Sequence, residues 1–367
     1  MSKKIRALGA LLLVAVWVLL TGFVWLSPSK ELSEAERRPL AQLPELNAET
    51  ILSGKFMSKF ESYTQDQFPA RDTFRQLKAL FHYYVLGQKD NNDIYIADGY
   101  AAKLEYPLNE KGLQSALKRF QLIYDMYLAD SGSKIYSAVV PDKSYYLAAE
   151  KGYPTMDYEK LFAAVQSDMP WATYVDLTDT LSKTDYYRTD AHWRQENLLG
   201  AAEKLASAMG VTAPKAEDFD KVLVERPFYG VYYGQAALPV EAEEMYVLRS
   251  KLLDACKVYR FDTDSYANVY DMEKQDSRDL YDVFLSGPQS LLRIENPGTK
   301  TNRELIVFRD SFGSSLAPLL VQDYAAVTLV DLRYIPSTML GDKIDFTNKD
   351  VLFLYSTTIL NTGSALK

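Results

Sequence analysis

The chain has 367 residues, with 49 acidic against 41 basic side chains and a net charge of −8. Outside its first few residues it carries no Lys/Arg-rich block, which argues against nucleic acid as a partner. Cys256 is its single cysteine, so an intrachain disulfide and the small disulfide-stapled class are excluded, and the fold must rest on a hydrophobic core.

The first element is an uncharged apolar run from Ala7 to Leu26, preceded by Lys3, Lys4 and Arg6. As a helix it spans about 30 Å, the thickness of a bilayer core. A cleaved signal peptide has an apolar stretch of only about 7 to 15 residues, and no convincing small-x-small cleavage site follows Leu26. The run therefore reads as a transmembrane signal anchor, with residues 1–6 as a cytoplasmic tail and everything after Pro28 outside the membrane.

Residues 27–90 read as a stalk and packing helices. Glu31 to Pro44 is polar and punctuated by prolines, which suits an extended segment. Ile51, Leu52, Phe56 and Phe60 predict a helix over Ala48–Tyr63, and Pro69 followed by Phe74, Leu77, Leu80 and Phe81 predicts a second with proline in its first turn. His82 falls on this second helix among aromatic residues and reads as a packed or half-exposed side chain outside any site.

Residues 91–367 read as one α/β domain. Strands are expected at Ile94–Ala97, Lys134–Val140, Thr173–Leu177, Glu304–Phe308, Ala326–Leu332 and Val351–Tyr355. Helices are expected at Gly112–Leu128, Tyr158–Gln166 and Arg194–Ala208. The apolar strands look buried on both faces, as in a parallel sheet. Regularity fails over residues 209–303, where Gly230, Gly234, Pro239, Gly287 and Pro297 separate short mixed segments, and this stretch reads as a loop-rich insertion with some β-structure.

Two short segments carry the chemistry. Thr189-Asp190-Ala191-His192-Trp193 offers a general base with a carboxylate two residues before it, and Arg309-Asp310-Ser311-Phe312-Gly313 offers a hydroxyl at the carboxyl end of a buried strand. A nucleophilic acyl-transfer site needs these three groups: Ser311 as nucleophile, His192 as base and Asp190 as its partner. The backbone N–H groups of Ser311 and Phe312 are candidates for an oxyanion hole, and Asp310 is expected to order the turn. A plainer reading also fits, with Ser311 and Asp190 as helix caps and Trp193 as a core anchor. One histidine beside one carboxylate gives too few ligands for a zinc site, and no phosphate-binding loop or dinucleotide fingerprint is present, so neither metal nor cofactor is expected. The tyrosine pairs 145–146, 186–187 and 232–233 could stack on sugar rings, though packing explains any one of them as well.

The Asp-x-His-Trp segment, followed much later by an apolar strand ending in Asp-Ser-Phe-Gly, resembles the DHHW-motif proteins and the related alginate O-acetyltransferases, which are SGNH-hydrolase-like. Further blocks in the same order strengthen the resemblance: residues 33–40, Asp66-Gln67-Phe68-Pro69-Ala70-Arg71, Val140-Pro141-Asp142-Lys143, Phe228-Tyr229-Gly230 and Val330-Asp331-Leu332-Arg333-Tyr334. Ala191 stands where the naming motif has a second histidine. Phe284-Leu285-Ser286-Gly287-Pro288-Gln289 matches a family segment that is richer in glycine.

The resemblance implies a flavodoxin-like, three-layer SGNH fold facing the cell exterior, with a mostly parallel sheet. It also implies acetyl transfer from an acetyl-serine to a cell-surface or secreted polysaccharide, fed by a membrane-bound O-acyltransferase partner. Two other classes use the same residues: a carbohydrate acetyl esterase, and a tethered glycan-binding or assembly protein whose triad is idle.

Overall fold

The computed structural model describes residues 3–33, 35–238, 240–363 and 365–367. Met1 and Ser2 of the expected tail, Glu34 of the charged block and Pro239 of the insertion lie outside the described residues. The chain divides into two compact units, Met1–Asn92 with Tyr233–Pro239, and Asp93–Tyr232 with Val240–Lys367.

The first unit begins with α1 (Lys3–Leu26). Its stretch Ala7–Leu26 has a mean hydropathy of 2.5 and no buried residue, so by length and composition it can cross a membrane. The helix expected over Ala48–Tyr63 is two helices, α2 (Ala48–Leu52) and α3 (Lys55–Asp66). They part at Gly54, whose φ of 73° no helix interior accommodates. Helix α4 (Arg71–Leu80) runs on into a π-helical turn, Phe81–Val85. Pro69 is not in its first turn, because Ala70 precedes the helix in a left-handed conformation, φ 56°. Asp66 at the end of α3 accepts both guanidinium nitrogens of Arg38, at 2.6 and 2.8 Å, and this pairing pulls its carboxyl down to about 2. His82 bonds Gln88 Oε1 through Nδ1 at 2.7 Å.

The second unit opens with a hairpin, β1 (Ile94–Ala97) and β2 (Tyr100–Lys103). Helix α5 (Glu110–Ile123) follows, then β3 (Lys134–Val140), α6 (Lys143–Leu147), α7 (Tyr158–Asp168), β4 (Thr173–Tyr174) and α8 (Leu199–Met209). Strand β4 is shorter than expected because the Asp176 carboxylate caps Thr178 N–H at 2.9 Å and turns the chain away. Helix α8 starts five residues later than expected. Gln195 is held instead by its amide, which donates to Ser315 O and accepts from Leu248 N–H, each at 2.8 Å, so the chain makes a 3₁₀ turn first.

The insertion is more ordered than its sequence suggests. Strands β5 (Asp220–Leu223) and β6 (Tyr246–Arg249) pair antiparallel, and after α9 (Lys251–Ala255) come β7 (Lys257–Arg260), β8 (Ser265–Ala267) and β9 (Leu291–Glu295). The chain then returns through β10 (Glu304–Arg309), α10 (Gly313–Leu316), β11 (Ala326–Val330), β12 (Asp350–Ser356) and α11 (Thr357–Thr362).

Eight of these strands form one sheet in the order β8-β7-β9-β11-β10-β12-β3-β4. The run β11-β10-β12-β3-β4 is parallel, while β9, β7 and β8 extend it antiparallel. The insertion thus supplies one end of the sheet.

Alternation along the central strands builds the layers. Leu305 and Val307 of β10 face a cluster holding Ala201, Leu205 and Ala206 of α8. Ile306 and Phe308 face the opposite cluster, with Leu117 and Phe120 of α5 and Leu161 of α7. Both faces are covered, which is why β10, β11 and β12 read as continuous apolar runs.

Candidate functional site

The neighbouring strands β10, β12 and β3 end at one edge of the sheet, and polar residues just past each end bind them together. Asp310, after β10, accepts Ser356 N–H at 2.8 Å and the Ser356 hydroxyl at 2.6 Å from the end of β12. Asp142, after β3, accepts the Thr357 hydroxyl at 2.7 Å and the Tyr158 phenol at 2.8 Å. Burial raises the Asp142 carboxyl above its ordinary value, against those hydrogen bonds.

Ser311 stands at this edge, two residues before α10. Its hydroxyl does not cap the helix, because Ser314 N–H bonds the Ser311 carbonyl instead, at 3.1 Å. The hydroxyl lies 2.7 Å from His192 Nε2. His192 Nδ1 is 2.6 Å from Asp190 Oδ1, and the Asp190 side chain is fully buried. Asp190 does not cap the helix that follows its loop: Oδ1 also accepts His192 N–H at 3.0 Å, and Oδ2 accepts, at 2.7 Å, the N–H of Val231, the first residue of the short helix Val231–Ala236. The three residues singled out in the sequence thus form one hydrogen-bonded chain from carboxylate to imidazole to hydroxyl.

The imidazole is held flat. Tyr281 stacks on it at 3.9 Å between centroids and 11° between planes, with Phe312 tilted against it at 5.0 Å. Tyr281 is fixed in turn by a 2.8 Å bond between its hydroxyl and Ser315 Oγ, and Ser315 Oγ accepts Trp193 Nε1–H at 2.9 Å. Trp193 is therefore both a core anchor and a tie between the histidine loop and the serine turn. Tyr186 and Tyr187 are fully buried and Tyr232 is nearly so, which makes them packing residues and not open sugar platforms.

The loop carrying Asp190 is gripped from two sides. From above the end of β3, the buried Lys143 ammonium donates to the carbonyls of Tyr187 at 2.6 Å, Asp190 at 2.8 Å and Arg188 at 3.4 Å. From the insertion, the Glu243 carboxylate accepts Arg188 N–H, Thr189 N–H and the Thr189 hydroxyl, each at 2.7 Å. Burial pulls the Lys143 ammonium down to about 7, while the carboxylates of Asp190, Glu243 and Asp142 resist that fall. Gly230 completes the fit: a Cβ there would overlap the backbone of Thr189 and Asp190.

One candidate group is differently engaged. Phe312 N–H donates to Asp310 Oδ1 at 3.0 Å, so it is committed to ordering the turn and does not face an incoming oxyanion in this arrangement. Ser311 N–H has no acceptor among the described residues and is the one of the pair that stays available.

The DHHW protein family model matches residues 172–330, a stretch that holds Asp190, His192 and Ser311 together. The resemblance to DHHW proteins stands. Among solved structures, a DHHW family protein from Eubacterium siraeum is 19% identical, with a TM-score of 0.56 over 76% of this chain and 93% of its own. Bacillus cereus PatB1, solved with a sulfonyl adduct, is 16% identical with a TM-score of 0.59 over 75% of this chain and 98% of its own. These likenesses and the mostly parallel sheet agree with the expected SGNH-hydrolase-like α/β fold. Among curated proteins nothing matches.

Proposed function

We propose that this protein is a membrane-anchored, extracytoplasmic O-acetyltransferase that acetylates a cell-surface or secreted polysaccharide through Ser311, His192 and Asp190. The observation that carries the reading is the continuous hydrogen-bonded relay, 2.6 Å from Asp190 to His192 and 2.7 Å from His192 to Ser311. The DHHW resemblance directs that relay toward acetyl transfer, and the sulfonyl adduct on PatB1 is the kind of product an activated nucleophile gives.

In the first half-reaction Ser311 Oγ attacks the acetyl carbonyl of a donor ester while His192 Nε2 takes the hydroxyl proton, and Asp190 stabilises the imidazolium. The carbonyl π pair moves onto oxygen, where Ser311 N–H meets it; such a donor is worth about 3 kcal/mol in a transition state. The tetrahedral intermediate collapses, the donor oxygen leaves with the proton from His192, and acetyl-Ser311 remains. In the second half-reaction a sugar hydroxyl gives its proton to His192, attacks the acetyl-serine, and leaves as the acetylated glycan while the proton returns to Ser311 Oγ. With α1 as an anchor the site lies outside the membrane, so the donor is delivered through the bilayer, and a membrane-bound O-acyltransferase is the partner the resemblance implies.

The test is partition. Full-length protein in detergent is given an activated acetyl ester with and without candidate glycans, and acetate and acetyl-glycan are both measured. Acetyl-glycan rising at the expense of acetate supports transfer. Acetylated glycan losing its acetyl groups without a donor assigns the site to an esterase, and glycan binding with no turnover assigns the chain to an assembly role.

A further inference from the structure

A helix on the surface of a soluble protein turns its apolar side inward. Helix α4 and the π turn after it do the opposite. Their inward side carries charge: Arg71 pairs with Glu36 at 2.5 Å, and Arg75 pairs with Glu36 at 3.2 Å and donates to Gly234 O at 3.0 Å. Their outward side carries Phe74, Leu77, Phe81, Tyr84 and Val85, which are 51–70% exposed. The spacing i, i+3, i+7, i+10, i+11 puts these five on one continuous stripe. Scattered exposed apolar residues need no explanation, but a contiguous stripe marks a surface that something covers.

The chain itself says what lies nearby. Helix α1 ends at Leu26, and its apolar stretch of 20 residues matches the bilayer core, which puts Leu26 at the acyl boundary. Lys30 is four residues on, a reach of about 14 Å at most. Lys30 N–H donates to Gln67 Oε1 at 2.8 Å, and Gln67 Nε2 donates back to Lys30 O at 2.8 Å. Gln67 lies in the turn that leads into α4. The start of the helix is thereby tied close to the headgroup layer, and Lys78 flanks the stripe as basic residues flank interfacial helices.

We propose that the stripe Phe74–Leu77–Phe81–Tyr84–Val85 is a lipid-docking surface, lying in the headgroup/acyl boundary of the bilayer that α1 crosses. The proposal rests on the reading of α1 as a retained anchor. It adds a second membrane contact that fixes the tilt and height of the membrane-proximal unit, where a single span alone leaves it free to swing.

The test uses full-length protein in phosphatidylcholine/phosphatidylglycerol vesicles, with an environment-sensitive fluorophore on Leu77→Cys, Phe81→Cys or Gln76→Cys. Gln76 is exposed on another side of the helix, and the native Cys256 is fully buried. Lipids brominated on the acyl chain are the quencher. Docking predicts quenching about threefold or more stronger at positions 77 and 81 than at 76. Equal, weak quenching at all three sites, in a chain whose intact mass shows α1 retained, overturns docking while leaving the anchor standing. A mass lacking the span overturns the anchor reading and docking with it. Label-to-label transfer between copies without bromine quenching assigns the stripe to a second copy and also overturns the proposal.

Discussion

The ring of Tyr281 lies flat on the imidazole of His192, 3.9 Å between centroids and 11° from parallel. In the proposed relay a histidine that bonds Ser311 and Asp190 at once has one productive plane, and Tyr281 supplies a wall along it. Tyr281→Ala frees the ring to tip, and a misplacement of about 1 Å lowers kcat by about 100-fold. Tyr281→Phe keeps the stack, loses only the bond to Ser315, and is expected to retain most of the activity. Ester turnover with circular dichroism on both variants separates the wall from general packing.

Glu243 is expected to act through loop geometry. Its carboxylate takes two backbone N–H groups and one hydroxyl of residues 188–189. Glu243→Gln turns an amide N–H₂ toward donors and leaves buried groups unmatched, a cost of about 1–3 kcal/mol. The expected result is a lower thermal midpoint together with a fall in kcat at little-changed KM, read from steady-state kinetics beside a melting curve.

Lys143 gives a pH signature. Its folded pKa of about 7 lies below the ordinary value of 10.5, so the unfolded chain binds more protons between those limits. Stability owed to this group therefore rises with pH from about 7 toward 10.5, and the burden is fullest below 7. Lys143→Met removes that slope. Urea midpoints taken from pH 6.5 to 8.5 should climb more steeply in wild type than in the variant; parallel curves would contradict the assignment.

Gly230→Ala tests the close approach beneath Asp190. The added methyl meets the backbone of Thr189 and Asp190, which is too rigid to yield cheaply. The expected outcome is a loss of about 1–3 kcal/mol in stability, with ester turnover falling further than the residual fold accounts for. Comparing activity per folded molecule, by chemical denaturation and kinetics on one preparation, checks it.

The sequence displays some of this architecture directly and conceals the rest for physical reasons. Strands β10, β11 and β12 were legible because burial on both faces leaves apolar runs such as Leu305-Ile306-Val307-Phe308. Strand β7 was not, since Lys257-Val258-Tyr259-Arg260 lies toward the sheet's edge and mixes charge with apolar side chains. The break at Gly54 could have been anticipated from glycine alone, whereas the left-handed Ala70 gave no local sign.

The same contrast holds at the site. Asp190 and His192 share one short loop, so their pairing is visible in five letters. Lys143 and Glu243 reach that loop from 47 and 54 residues away and carry no motif that names their role, although Lys143 and Gly230 sit in blocks shared with the DHHW resemblance. Tyr281 was hidden in the insertion, where only the folded chain brings it onto His192. The commitment of Phe312 N–H to Asp310 depends on a turn conformation that spacing does not encode.

The central claim is that Ser311 is a nucleophile activated by His192, and intact-mass analysis after exposure to an activated acetyl ester tests it most directly. Full-length wild type, Ser311→Ala and His192→Ala are compared, with peptide mapping of any adduct. The account predicts a gain of one acetyl group on Ser311 in wild type and none in either variant. A folded wild type that gains no acetyl group and cleaves no ester, or an adduct that persists in Ser311→Ala, would contradict it.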